Sequence, residues 1–218
     1  MNVDQARFNM IEQQIRPWDV LDPAVLQLLS LVRREDFVPA GLRHLAFMDT
    51  ELPLAPGRFA LQPKMEARLL QELQVQPGDR VLELGTGSGY LTALLAHQAQ
   101  EVVSLECDTE LAEAARLRLR RLGLTRVQVR ESLNLAQGCA TEGPFDVIVA
   151  TGSLAETPAA LKAQLKPGGR LLVVEGDEPV MRAVLWRHQG PEQFARRELF
   201  DTVLPRLPGA TEPSAFAF

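Results

Sequence analysis

The fold is decided by the stretch Arg80-Val81-Leu82-Glu83-Leu84-Gly85-Thr86-Gly87-Ser88-Gly89-Tyr90-Leu91-Thr92. A short apolar strand leads into a turn with alternating glycines, and a helix follows. Because glycine lacks a Cβ atom, such a turn can be tight and a ligand can lie against bare backbone. The start of the helix presents unpaired N–H groups and the positive end of the helix dipole. The stretch therefore predicts a binding site for a nucleotide-like molecule that carries a negative group.

The spacing of the glycines indicates which nucleotide is bound. The dinucleotide fingerprint is G-x-G-x-x-G, in which the third glycine lets the helix pack closely on the strand. Here the spacing is G-x-G-x-G, and Tyr90 occupies the place of that third glycine. A nicotinamide-dependent oxidoreductase is therefore disfavoured. The run E-x-G-x-G-x-G from Glu83 to Gly89 instead resembles motif I of the class I methyltransferases, which bind S-adenosylmethionine.

This resemblance implies roles for the residues of the run. The acidic residue, Glu83, is expected near the methionyl end of the cofactor. The turn itself is expected under the adenosyl group, and its residues are Gly85, Thr86, Gly87, Ser88 and Gly89.

A second acidic residue, Glu106, ends the next predicted strand, Val102-Val103-Ser104-Leu105-Glu106. It lies about twenty residues past the glycines, where a Rossmann-like unit holds the ribose hydroxyls with a carboxylate. Ligands of such sheets bind outside the carboxyl ends of the strands. We therefore expect residues at the ends of neighbouring strands to converge on the glycine turn: Glu106, Glu131, Ser132, Thr151 and Gly152. Cys107, next to Glu106, is also predicted to lie on the cofactor side.

Strands and helices alternate after the glycine turn. Strands are predicted near 80–84, 101–105, 126–130, 145–150 and 170–174, with further strand-like runs near 180–187 and 194–203. Helices are predicted near 88–98, 109–122 and 155–165. This alternation is typical of an α/β protein with a Rossmann-like, doubly wound, mostly parallel sheet, here with seven strands.

The part before the sheet is predicted to be an N-terminal helical extension. Helices are expected over 5–16, 23–31 and 64–73, with a further helical region at 32–39 and irregular chain over 40–63. We expect a single domain over 1–218. Residues 1–63 form the extension and active-site cover, 64–207 the cofactor-binding core, and 208–218 a disordered tail or docking strip.

Composition excludes several classes of function. A net charge of −5 and a pI near 5.3 disfavour a nucleic-acid partner, because phosphates require a basic surface. Cys107 and Cys139 are the two cysteines and form no C-x-x-C pair, so neither a disulfide framework nor a zinc site is indicated. Without a leader or a long apolar run, we expect a cytoplasmic enzyme with no membrane partner. The oligomeric state stays open.

Further segments resemble the protein-L-isoaspartate O-methyltransferase family, and the resemblance extends over about residues 5–207. These are V-R-R-E-D-F-V-P at 32–39, L-P-L at 52–54, Q-P-K-M at 62–65, the glycine run at 80–90, P-F-D at 144–146 and L-P at 204–205. The resemblance implies methyl transfer from S-adenosylmethionine to the α-carboxyl group of isoaspartyl residues in damaged proteins or peptides.

Such a reaction requires little acid–base chemistry from the protein. A carboxylate with a pKa near 4 is already ionised at neutral pH, and a methyl group on a sulfonium is already electrophilic. Catalysis is then mainly the positioning of two reactants and the exclusion of water. The absence of a Ser-His-Asp, Cys-His or metal-binding constellation agrees with this chemistry, and we expect no metal.

The segment over the acceptor site departs from the family pattern. The family usually has serine in the sequence I-S-Q-P, whereas this chain has Leu61, which cannot donate a hydrogen bond to a carboxylate. No catalytic residue is therefore assigned. The predicted substrate-side residues are Phe59, Ala60, Leu61, Gln62 and Thr151.

The segment after the third strand of the core also departs from the family pattern. The family tends to have G-D-G there, and this chain has Arg130-Glu131-Ser132-Leu133. Glu131 is predicted to accept a hydrogen bond from the adenine amino group.

Alternative functions follow from these departures. One is a methyltransferase of the same fold that acts on a different protein or small molecule, because Phe59 and Leu61 make the cover more apolar. Another is a module that binds the cofactor without catalysis. Methylation of adenine or amide nitrogen is disfavoured, because that activity usually accompanies N/D-P-P-Y/F after the fourth strand, where this chain has Ala150-Thr151-Gly152-Ser153.

Overall fold

The computed structural model describes residues 2–210 and contains one large sheet and one small one. The small sheet is a two-stranded hairpin formed by β1 (Leu52–Ala55) and β2 (Arg58–Ala60). The strands of the large sheet are β3 (Arg80–Leu84), β4 (Glu101–Glu106), β5 (Val127–Glu131), β6 (Phe145–Leu154), β7 (Leu165–Asp177), β8 (Val180–Gly190) and β9 (Gln193–Asp201).

The large sheet has seven strands in the order β5-β4-β3-β6-β7-β8-β9. The pairs from β5 across to β7 are parallel, and β8 and β9 are added as antiparallel strands. The predicted Rossmann-like, doubly wound, mostly parallel sheet is thereby confirmed. The chain runs outward from β3 through β4 to β5 and then returns to β6 on the other side of β3. This reversal opens a crevice at the carboxyl end of β3, where such folds bind ligands.

Helices cover the faces of the sheet and form the N-terminal extension. The α-helices are α1 (Val3–Met10), α2 (Pro23–Leu31), α3 (Pro63–Leu73), α4 (Tyr90–Gln98), α5 (Thr109–Arg121) and α6 (Ala159–Lys162). Shorter segments are a π-helical turn at Ile11–Ile15 and 3₁₀ turns at Arg16–Trp18, Arg34–Asp36, Ala40–Leu45 and Leu135–Gln137. The start of α2 is fixed because the Asp22 carboxylate accepts from two backbone N–H groups and Pro23 occupies the first turn.

The core lies on both faces of the central strands. Val81 packs into one apolar cluster, and its neighbours Leu82 and Leu84 pack into the other. Successive side chains of a strand point to opposite faces, so a strand covered by helices on both sides is apolar throughout. This explains why β3, β4, β6 and β7 are predictable from short apolar runs, whereas β5, at the edge of the sheet, alternates apolar and polar residues.

Two stretches differ from their predicted structure. Residues 40–63, predicted irregular, contain a 3₁₀ turn and the β1–β2 hairpin. The helix predicted at 155–165 is restricted to α6, because Pro158 disfavours helical backbone at the residue before it. Residues 155–158 are irregular chain after β6, which ends at Leu154, and β7 begins at Leu165.

The predicted tail, 208–218, lies mostly outside the described residues, which end at 210. Within residues 2–210, no helix has the length and apolar character needed to cross a bilayer.

Candidate active site

A pocket opens at the carboxyl ends of β3, β4 and β6. Gly85 and Gly87 of the glycine turn line it together with Glu106 after β4 and Thr151 on β6. The predicted convergence of the glycine turn with these strand ends is therefore present in the fold.

The glycine turn is held tightly against its neighbours. Gly85 and Thr86 both donate their backbone N–H groups to the Leu105 carbonyl, at 2.9 and 3.1 Å. The Thr151 hydroxyl donates to the Gly85 carbonyl at 2.8 Å, and a Cβ atom on Gly85 would lie 2.2 Å from that hydroxyl oxygen. Gly85 has φ of +99°. Close approach and positive φ together explain why glycine is needed at this position.

Glu106 is fixed at the pocket by backbone hydrogen bonds. Its carboxylate accepts from the N–H groups of Gly87 at 2.8 Å, Cys107 at 2.9 Å and Asp108 at 3.1 Å. Two of these bonds reach Oε1, and Oε2 accepts the one from Gly87. A carboxylate oxygen can accept more than one hydrogen bond, so Oε2 retains acceptor capacity toward a ligand.

Glu83 is buried beneath the glycine turn and does not line the pocket. Its Oε2 accepts from the hydroxyl groups of Thr92 at 2.5 Å and Ser104 at 2.6 Å. Oε1 is buried without a hydrogen-bond partner among the described residues. Burial raises the pKa of Glu83 to about 8, although the two hydroxyl groups act against this shift. The side chain is therefore mainly protonated at neutral pH.

The raised pKa of Glu83 predicts a pH-dependent stability. The folded-state value of about 8 exceeds the unfolded value of 4.5, so this contribution to stability is complete below pH 4.5 and is lost as the pH rises to 8. We expect Glu83→Gln to remove that loss. The variant should be more stable than the wild type by a margin that grows by roughly 1.4 kcal/mol per pH unit between pH 4.5 and pH 8.

Urea unfolding between pH 5 and pH 8 measures this difference. Glu131→Gln is the control, because Glu131 is an exposed carboxylate and its variant should follow the wild-type curve. A difference between Glu83→Gln and the wild type that stays constant over the pH range would contradict the assignment.

The active-site cover is the β1–β2 hairpin with the residues that follow it. It presents the apolar side chains of Leu54, Phe59 and Leu61 to the pocket. Phe59 is half-exposed and Leu61 is buried. Among the other predicted substrate-side residues, Thr151 also lines the pocket, whereas Ala60 and Gln62 do not.

Several predicted cofactor-side residues lie near the pocket without lining it. Thr86 and Ser88 are buried, and the Ser88 hydroxyl accepts from the Tyr90 N–H. Cys107 lies beside the pocket-lining Arg58, whose Nη2 is 3.4 Å from the Cys107 Sγ. These residues support the turn and the strand end, and their contact with a ligand stays a prediction.

Glu131 and Ser132, at the end of β5, are not in contact with the pocket. The Glu131 carboxylate accepts from the Thr109 hydroxyl at 2.8 Å and from Arg116 at 3.1 Å, and these hydrogen bonds lower its pKa. The Ser132 N–H donates to the Glu106 carbonyl at 2.8 Å. Neither side chain is part of the pocket lining. The proposed contact between Glu131 and adenine therefore stays a prediction without support from this arrangement.

Sequence reasoning missed the charged residues that the cover and the C-terminal segment bring to the pocket. These are Glu51, Arg58 and Arg206. Burial raises the pKa of the Glu51 carboxyl. The Leu204-Pro205 segment belongs to the family resemblance, but local sequence does not predict its pairing with β6. Within residues 2–210, no group of three or more metal-ligating side chains could hold a metal ion.

The doubly wound sheet, the glycine turn at its switch point and the adjoining carboxylate define a Rossmann-like protein that binds a nucleotide-like cofactor. The family model described as "Protein-L-isoaspartate(D-aspartate) O-methyltransferase (PCMT)" matches residues 5–199. The chain therefore belongs to this family.

Individual relatives agree with the family assignment. The chain is 39% identical over 197 residues to a protein-L-isoaspartate O-methyltransferase of Methylorubrum extorquens (strain PA1), covering 89% of this chain and 84% of that relative. A putative enzyme of the same name from Plasmodium falciparum, solved in complex with S-adenosyl-L-homocysteine, superposes with a TM-score of 0.77 at 21% identity and covers 96% of this chain and 99% of that one.

A second solved structure, also called protein-L-isoaspartate O-methyltransferase, has a TM-score of 0.77 at 24% identity. That match covers 92% of this chain, which spans 65% of the length of that structure. At such identities the two solved structures support the fold.

Proposed function

We propose that this protein transfers the methyl group of S-adenosylmethionine to the α-carboxylate of L-isoaspartyl residues in damaged proteins. The observation that carries the proposal is the family match over residues 5–199. The pocket agrees with this function, because a glycine turn and a carboxylate with acceptor capacity lie at the switch point of the sheet.

The residues of the pocket fit an adenosyl cofactor. The bare backbone of Gly85 and Gly87 leaves room for a flat group, and Glu106 would accept hydrogen bonds from ribose hydroxyls. When bound, the cofactor supplies a methyl carbon that is electrophilic because it is attached to a sulfonium. The apolar side chains of the active-site cover would exclude water from the reacting atoms.

Glu106 provides a direct test of the cofactor site. We expect Glu106→Ala to weaken binding of S-adenosylhomocysteine by about 1.5–3 kcal/mol, because hydrogen bonds to a charged group are lost. Titration calorimetry measures the change. Glu113→Ala is the matched control, since this exposed carboxylate on α5 lies outside the pocket lining, and we expect wild-type affinity. Equal affinity in both variants would remove Glu106 from the cofactor site.

Methyl transfer to an isoaspartyl peptide, compared with the normal aspartyl peptide, tests the reaction. Labelled S-adenosylmethionine supplies the methyl group, and S-adenosylhomocysteine binding is measured on the same sample. Base-labile transfer that is specific for the isoaspartyl form supports the proposal. Cofactor binding with negligible transfer to both peptides would overturn it.

A second candidate function keeps the cofactor and changes the acceptor. Phe59 and Leu61 favour it, because they present apolar surface on the side of the pocket where the family serine is expected. Binding without transfer in the peptide assay would favour this candidate or a non-catalytic module, and a screen of carboxylate acceptors would then separate the two.

The finer statements on partners and location remain proposals. Damaged protein is the proposed partner, and the acidic composition supports the absence of a nucleic-acid partner. A cytoplasmic location and the division into extension, core and tail are likewise proposed.

A further inference from the structure

The pocket contains two arginines that differ in their surroundings. Arg58, on β2, has its guanidinium beside Cys107, the residue that follows the ribose-side carboxylate Glu106. Arg206 lies beside Ser153 on β6. Since β4 and β6 flank β3 on opposite sides, the two arginines belong to opposite walls of the pocket. Arg206 is therefore on the wall away from the predicted ribose site.

The backbone of Arg206 is anchored rigidly to β6. Ser153 donates its N–H to the Pro205 carbonyl at 2.8 Å, and Leu207 donates its N–H to the Ser153 carbonyl at 2.9 Å. The segment that contains Arg206 lies so close to β6 that a Cβ atom on Gly152 would be 2.9 Å from the Leu207 Cα. These contacts hold Arg206 at the pocket wall as an added short strand.

Hydrogen bonds orient the guanidinium of Arg206 but do not use all of its donors. Nη1 donates to the Gly176 carbonyl at 3.0 Å and to the Ser153 hydroxyl at 3.4 Å, and Nη2 pairs with Asp177. Nε makes no hydrogen bond to residues 2–210. Because a guanidinium has five N–H donors, Arg206 retains donors for a further acceptor. Its partner Asp177 is half-exposed, which weakens that ion pair.

We propose that Arg206 binds the carboxylate group of the methyl acceptor and supplies the hydrogen bond that Leu61 cannot donate. This inference rests on the proposed function. Both residues line the same pocket, and arginine is the side chain best suited to hold a carboxylate. A hydrogen bond to one carboxylate oxygen leaves the other oxygen available to attack the methyl carbon.

The reaction itself makes this contact selective for substrate over product. The carboxylate oxygen forms a bond to the methyl carbon, the sulfur–carbon bond breaks, and the electron pair stays on sulfur. A carboxylate and a sulfonium thereby become a neutral ester and a neutral thioether. Arg206 then loses its charged partner, so the methyl ester binds less tightly than the acid.

A purely structural role for Arg206 makes a different prediction. If the guanidinium only ties the β7–β8 turn to the C-terminal segment, removing either member of the Arg206–Asp177 pair should have the same effect. Asp177→Asn removes the ion pair and keeps the guanidinium, whereas Arg206→Leu removes the guanidinium. Asp177 is not part of the pocket lining, which makes it a suitable matched variant.

The experiment measures kcat and KM for an isoaspartyl peptide, with S-adenosylhomocysteine affinity and Tm recorded for each protein. Competition between this peptide and the same peptide with its α-carboxyl replaced by an amide measures the preference of the protein for the charged form. We expect Arg206→Leu to raise KM at least tenfold and to lose the preference for acid over amide. Its S-adenosylhomocysteine affinity should stay within twofold, and Asp177→Asn should keep a KM equal to or below that of the wild type.

The outcomes separate this inference from the proposed function. Wild-type protein that methylates the isoaspartyl peptide, with an unchanged KM in Arg206→Leu, would overturn the inference alone. A tenfold rise in KM that also occurs in Asp177→Asn would assign Arg206 a structural role and overturn it as well. Wild-type protein that binds S-adenosylhomocysteine but neither binds nor methylates the peptide would overturn the proposed function and the inference with it.

Discussion

Gly87→Val is expected to abolish cofactor binding while the protein remains folded. Gly87 has φ of +52°, where a β-branched residue is strained by about 1–3 kcal/mol. Its Cβ position faces the cover, 3.5 Å from the Leu54 Cδ1 atom, so the two valine methyl groups would occupy the space between turn and cover. We expect affinity for S-adenosylhomocysteine to fall at least 100-fold, which is about 2.7 kcal/mol.

Gly123→Val is the control that distinguishes the effect of a blocked pocket on binding from the effect of backbone strain. Gly123 has φ of +72°, nothing lies within 4 Å of its Cβ position, and it follows α5 at the opposite edge of the sheet. Both variants should lose similar free energy of unfolding, but only Gly87→Val should lose binding in titration calorimetry. Wild-type affinity in Gly87→Val would mean that the glycine turn is not the cofactor site.

The central sheet and one part of the site could be predicted from the sequence. The inner parallel strands β3, β4, β6 and β7 contain short apolar runs because both of their faces are buried, and this pattern is local. The glycine turn and Glu106 could be placed together because parallel strands end at the same edge of a sheet. Both features depend on residues close in sequence and on a general rule of topology.

The rest of the pocket depends on contacts between residues far apart in sequence. The β1–β2 hairpin lies in a stretch with prolines and little alternation of apolar and polar residues, so its sequence shows no clear strand pattern. Arg206 reaches the pocket only because its segment pairs with Ser153, 53 residues earlier. Glu131 follows a strand as expected, but hydrogen bonds from Thr109 and Arg116 hold its carboxylate outside the pocket. Such pairings cannot be inferred from local patterns.

The N-terminal extension is joined to the core by a buried ion pair between Arg34 and Glu66. Both side chains are almost inaccessible, and Arg34 Nε lies 3.2 Å from the Glu66 Oε2. The same guanidinium donates to the carbonyl groups of Ala46 at 2.7 Å and Leu61 at 2.5 Å. Arg34 thus connects α3 of the core with both ends of the chain segment that contains the active-site cover.

Arg34→Met is expected to lower the free energy of unfolding by about 3–5 kcal/mol at pH 8, because it leaves the buried Glu66 side chain without its partner. Two carbonyl groups also lose their hydrogen-bond donor. Arg33→Met is the matched control. The Arg33 side chain is 61% exposed, so loss of its ion pairs should cost less than about 1 kcal/mol.

The loss in Arg34→Met should depend on pH in a defined direction. Burial raises the pKa of Glu66 to about 7 in the wild type, and Arg34 opposes that rise. Without Arg34 the folded-state pKa of Glu66 rises further, so the variant loses stability with rising pH over a wider range than the wild type. The difference between the two proteins should therefore be smallest near pH 5, where Glu66 is protonated in both, and should grow toward pH 8. Urea unfolding across this range measures it. A difference that does not change with pH, or one no larger than that of Arg33→Met, would show that the ion pair does not hold the extension on the core.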